Sequence, residues 1–151
     1  MNLITPLLRV ENVRAELDAS SKKRLFELVG QMLHDHYAIS ANEVFDSLFS
    51  REKLGSTALG YGIAIPHGRI KELKDTACAF IRLKHPIDFD APDSLPVDLV
   101  FVLLAPAAAT DLHLQVLAEL AQMFSDQVFR DRLRHAADAT ALHGLIAQWT
   151  P

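Results

Sequence analysis

Between Val97 and Leu104 the chain reads VDLVFVLL, and every side chain except Asp98 is apolar. Such a run suits a strand buried on both faces at the centre of a sheet, where neither alternation of side chains meets water. The wider apolar window from Leu99 to Ala109 falls well short of the ~20 residues that a membrane-spanning helix needs, and Asp98 abuts it. The rest of the sequence must therefore supply partner strands and two layers of cover.

The cover is legible as amphipathic helices. After Ser20 and Ser21, the residues Leu25, Leu28, Val29, Met32 and His36 recur at three- and four-residue steps and predict one buried face. Ser40 to Glu43 forms a capping-box sequence in which serine and glutamate satisfy each other's exposed N–H groups. The helix it starts has Val44, Phe45, Leu48 and Phe49 inward and ends near Leu54, where Gly55 permits a left-handed exit. Beyond Pro106, Thr110 or Asp111 caps a helix with the stripe Val116, Leu117, Leu120 and Phe124. Ser125 and Asp126 start another with Phe129 and Leu133 inward, and Leu142, Leu145, Ile146 and Trp149 form the last amphipathic stretch.

Between the helices, Gly62 to Ile65 and Ala77 to Leu83 read as strands beside Val97–Leu104, and Val13 to Leu17 as an earlier one. His85 to Asp93 reads as a turn-rich loop. Helices alternating with short apolar runs predict an α/β sandwich. At 151 residues, with no repeat, low-complexity tract or linker, residues 1–151 are expected to form a single domain. A net charge of -4 argues against nucleic acid as the main partner. No basic n-region precedes Pro6, so no signal peptide is read, no membrane insertion is expected and a cytoplasmic location is. The single Cys78 excludes an intramolecular disulfide and reads as a buried thiol.

Chemistry points first to Gly60–Arg69, GYGIAIPHGR. Pro66 forces Ile65 into an extended conformation and fixes its own φ, so the backbone is stiff where His67 emerges. Gly60, Gly62 and Gly68 present no side chains that would block a second surface or an anion. A neutral imidazole is a competent nucleophile near neutral pH. The same tripeptide equally suits a histidine that merely ends a strand in a tight turn. His113 lies four residues before Leu117, on the inward stripe of its helix and in the first turn, where the helix end favours negative charge. Arg51 could bind a phosphate bidentately, or belong to a solvated charged turn. Taken together, two histidines, an arginine and a glycine-rich segment suit phosphoryl transfer onto imidazole, which demands positioning and compensation of oxygen charge.

The stretch SREKLGSTALGYGIAIPHGR, with PVDLVF at Pro96–Phe101 and DLHL at Asp111–Leu114, resembles enzyme IIA of the bacterial phosphoenolpyruvate-dependent phosphotransferase system, of the mannitol/fructose/nitrogen type. The resemblance covers essentially the whole chain and is greatest to the nitrogen-regulatory branch, although Tyr61 stands where that branch often has asparagine. It implies an α/β sandwich around a central mixed sheet flanked by helices. It also implies that His67 accepts phosphate, as a candidate tele-phosphohistidine, from a histidine phosphocarrier protein (HPr or a nitrogen-branch homologue). His113 and Arg51 correspond to the residues that steady the phosphate. The partners so implied include regulated proteins such as a potassium transporter or a sensor kinase, and neither metal nor organic cofactor is expected. A sugar-specific enzyme IIA, passing phosphate to an enzyme IIB, is the alternative within the family. A metal-dependent hydrolase is disfavoured because His34 and His36, two apart, project to different faces of a helix and no His-Glu-x-x-His element is present. A pure binding module would take up no phosphate.

Overall fold

The structure, a computed structural model, describes residues 2–108 and 111–151. Its elements in chain order are β1 (Val13–Leu17), α1 (Lys22–Tyr37), α2 (Ala41–Leu54), β2 (Ala58–Gly60), β3 (Ile63–Ala64), β4 (His67–Ile70), β5 (Ala77–Ile87), β6 (Val97–Pro106), α3 (Asp111–Ser125), α4 (Gln127–His135) and α5 (Ala139–Gln148). Short 3₁₀ turns at Thr5–Leu7 and Val10–Asn12 precede them.

The apolar run is the centre of the sheet. β6 pairs antiparallel with β5 on one side and parallel with both β3 and β4 on the other. β1 continues the sheet beyond β5 in parallel, and β2 closes the other edge antiparallel to β3. The sheet is thus mixed, as the family resemblance implies. Period-two alternation on its central strands divides the core into two layers. Ala79, Ile81, Val100, Val102 and Leu104 face α1 and α2. Cys78, Phe80, Leu99, Phe101 and Leu103 face α3, α4 and α5. Complete burial pushes the Cys78 thiol pKa far above its usual range, in keeping with an inert core group.

Several boundaries differ from the sequence reading. His85–Ile87, expected in a loop, extends β5 instead, with a register irregularity between Arg82 and Ile87 that accommodates Pro86. β2 was not legible, because three residues are too few for a periodic signal. On α1 the inner face is built by Leu25, Phe26, Val29 and Leu33, while His36 is only half-buried. Ser40 caps α2 by accepting from the Glu43 N–H at 3.4 Å; the return bond from the Glu43 carboxylate is absent among the described residues. Gly55 does end α2, yet at φ 157° and ψ 150° rather than in the left-handed helical region. Thr110 lies outside the described residues, and Asp111 is the first residue of α3.

Two buried arginines finish the helical layer. Arg82 reaches from β5 and donates through Nη1 to the carbonyls of Leu133 at 3.0 Å and Ala136 at 2.7 Å. The two carbonyls lie at the C-terminal end of α4, where backbone donors run out and the Leu133 carbonyl has only a long 3.4 Å bond from the Ala136 N–H. Arg130 donates to the Phe124 carbonyl near the end of α3 at 2.8 Å. Apolar replacement of Arg82 would remove its bonds from a largely buried helix end. Arg82→Met is expected to lower stability by about 2 to 4 kcal/mol, read from the urea midpoint of unfolding.

Candidate functional site

His67 is the first residue of β4, not the end of a strand in a tight turn. From Ile63 to Ile70 the chain runs along β6, and the ladder is interrupted only around Pro66, which has no N–H to donate. The Pro66 carbonyl still accepts from the Leu103 N–H at 3.0 Å, which sets His67 opposite Leu103. Ile63 and Ile65 belong to the layer under α3, so alternation puts His67 on that same face. Its imidazole is half-buried rather than fully exposed.

The tautomer follows from one hydrogen bond. His67 Nδ1 lies 2.8 Å from the Ile65 carbonyl oxygen. A carbonyl only accepts, so Nδ1 carries the hydrogen and donates it. The free lone pair is therefore on Nε2.

α3 brings the second histidine. The ring centroids of His67 and His113 are 5.9 Å apart with planes tilted by 53°. His113 is 6% exposed, on the inward stripe, and its Nδ1 has no hydrogen-bond partner among the described residues. Burial, then His67 and then Arg69 depress its pKa below the ordinary 6.5, so the ring is neutral at physiological pH. A neutral, uncommitted imidazole beside a nucleophilic one leaves hydrogen-bonding capacity for a group that enters between them.

Arg51 comes from the opposite layer, at the end of α2. Its Nη1 donates to the Gly55 carbonyl at 2.8 Å, closing its own helix end. That end is joined to the site strand, because the Ile65 N–H donates to the Thr57 carbonyl at 3.0 Å. Among the described residues Arg51 makes no hydrogen bond with either imidazole. The arginine in the field of His113 is Arg69, two residues after His67 on the same face of β4. Strand alternation was the signal that would have singled it out, had β4 been read as a strand.

The glycines serve packing rather than open access. A Cβ on Gly68 would lie 2.1 Å from Ser47 Oγ of α2, so that glycine lets the helix sit against β4. A Cβ on Gly62, at φ +80°, would lie 2.5 Å from Arg134 Nη2 and 2.9 Å from Asp98 Oδ1. Those two groups form an ion pair at 3.0 Å that anchors the turn before β3. Tyr61 in that turn has φ 59°, a conformation that asparagine adopts more readily than tyrosine. His34 and His36 bond separately to the Ile39 carbonyl and the Asn12 side chain. No group of three metal-ligating side chains converges among the described residues.

The family described as phosphoenolpyruvate-dependent sugar phosphotransferase system, EIIA 2, matches residues 6–149. The chain belongs to that family. It is 41% identical to a nitrogen regulatory protein of Bradyrhizobium diazoefficiens over 144 residues, 95% of this chain and 94% of the relative. The crystal structure of nitrogen regulatory protein IIA-Ntr from Neisseria meningitidis superimposes with a TM-score of 0.91 at 44% identity, covering 96% of this chain and 99% of that one. Enzyme IIA mannitol of Escherichia coli, in its complex with phosphorylated enzyme IIB mannitol, gives a TM-score of 0.77 at 25% identity, covering 95% of this chain and 100% of that one. The α/β sandwich is thus the enzyme IIA type-2 fold, and phosphoryl carriage within the phosphotransferase system is the family's role. None of the described helices is long and apolar enough to cross a membrane.

The depressed pKa of His113 has a consequence for stability. Below pH 6.5 the unfolded chain takes up the proton at the ordinary histidine value, whereas folded His113 resists it. The unfolding free energy therefore falls as pH is lowered through that window. Urea midpoints measured across it should show the fall, and His113→Gln should flatten it.

Proposed function

We propose that this chain is a phosphoryl carrier of the nitrogen-regulatory branch, acting as one enzyme IIA unit in the cytoplasm. In this reading His67 accepts phosphate from a phosphohistidine carrier protein, HPr or a nitrogen-branch homologue. The observation that carries it is the Nδ1–H bond from His67 to the Ile65 carbonyl, with the neutral His113 ring on the same face. The Nε2 lone pair attacks phosphorus as the donor's P–N bond breaks, and that bond's electron pair returns to the donor imidazole. The product is a tele-phosphohistidine that keeps its proton on Nδ1, still donated to the Ile65 carbonyl. This bond steadies the positive charge that the ring gains.

His113 donates an N–H to a phosphoryl oxygen in this scheme. Arg51, at the joint between α2 and the site strand, contributes positive charge from the other side. Transfer needs no metal or organic cofactor for these steps. Identities above 40% to nitrogen regulatory proteins, against 25% to the mannitol enzyme, favour regulation over sugar uptake. Adding ~1.5 to 2 negative charges beside α3 would change the complementarity of that face to a regulated protein, such as a potassium transporter or a sensor kinase, without refolding.

Incubation with phosphoenolpyruvate, enzyme I and carrier protein should produce an acid-labile, base-stable phosphoryl adduct. His67→Ala is expected to abolish it, and equal labelling of that variant would overturn the assignment. His113→Ala should remain folded and label on the order of a hundredfold more slowly. Unchanged forward and reverse rates would reduce His113 to a packing role.

A further inference from the structure

The face of β4 that carries His67 carries one more functional group. In β4, Gly68 and Ile70 turn toward α2, with Gly68 against Ser47 and Ile70 in the core beneath that helix. Residues 67 and 69 therefore share the opposite face, with backbones roughly 7 Å apart. Arg69 pairs in register with Ala105, and its Nη1 donates to the Ala107 carbonyl at 3.1 Å, in the turn leading toward α3. That bond ties the phosphoacceptor strand to the segment preceding the helix of His113. It occupies one of five N–H donors in the guanidinium fork. Among the described residues, Arg69 pairs with no carboxylate.

We propose that Arg69 is a further charge-compensating residue for phosphorylated His67, beside Arg51, its guanidinium pairing with the phosphoryl oxygens once the group is on Nε2. This rests on the reading of His67 as acceptor. The unphosphorylated site sets a permanent cation beside two imidazoles, and its field on His113 is already unfavourable to a proton there. A phosphoryl dianion entering the same space turns that repulsive arrangement into an attractive one. The guanidinium is solvent-exposed, so the gain is modest, and it falls with added salt. Arg51 starts from α2 with one donor engaged by the Gly55 carbonyl, so the two guanidiniums belong to different elements.

The test uses potassium phosphoramidate, which needs no protein donor: an N–P bond forms on the imidazole and ammonia departs with the electron pair of the broken P–N bond. The parent, Arg69→Gln, Arg69→Lys and His67→Ala proteins are treated alike, and the ³¹P signal absent from His67→Ala is followed against pH. Losing a nearby cation favours the protonated form of the phosphohistidine. In Arg69→Gln the ³¹P titration midpoint should rise by about half a pH unit, and Arg69→Lys should restore most of it. With a carrier protein as donor, the Arg69→Gln equilibrium should lie about three- to fivefold further toward the donor. A loss of packing alone would not move the titration midpoint. If His67 is phosphorylated in every variant that retains it and neither quantity moves in Arg69→Gln, the role of Arg69 is overturned and the carrier reading stands. If the parent gives no His67 signal with either phosphoramidate or carrier, both fall together.

Discussion

The architecture depends on β6 being buried on both faces. A strand in that position must satisfy its backbone entirely through neighbouring strands and can contribute to two cores at once. Here it pairs with β5 along one side and with β3 and β4 in succession along the other. Its alternate side chains divide the interior, with Val100, Val102 and Leu104 in the layer under α1 and α2 and Leu99, Phe101 and Leu103 in the layer under α3 to α5. Phe80, Phe101 and Phe124 meet in the second layer with ring centroids 6.1 to 6.5 Å apart. This packing sets the depth at which α3 sits, and so how near His113 comes to the sheet.

The site is a joint between a strand and a helix on one side of that frame. Pro66 interrupts the ladder, the Leu103 N–H restores the register, and His67 emerges with its face already fixed by Ile65. One carbonyl then decides which nitrogen is nucleophilic. Burial keeps the neighbouring ring neutral, and its Nδ1 has no partner among the described residues. An orphaned buried nitrogen costs stability in the resting protein, and such costs are tolerated where a group arrives during function.

Periodicity made the long elements readable. α1 and α2 needed only their stripes and serine caps, and β5 and β6 only their apolar runs. The segment around His67 resisted because β2, β3 and β4 span four residues or fewer each, too short for a pattern to separate strand from turn. Misreading that segment as a turn hid Arg69, whose relation to His67 exists only if the two share a strand face. Gly62 and Gly68 seemed to open space, whereas Arg134 and Ser47 fill it. Arg82 gave no sign in the sequence of its role at the end of α4, since its partners lie about fifty residues away.

From the sequence alone came the central strand, the flanking helices, the α/β sandwich and the pair of histidines, because each rests on local periodicity or on residues a few positions apart. Tertiary structure decided the rest. It set the pairing of β4 with β6, the 5.9 Å approach of the two rings, the neutral state of His113 and the placing of Arg69 on the strand face of His67. The physical reason is that distance, burial and field depend on which elements pack together. Their partners are tens of residues apart, beyond the reach of any local pattern.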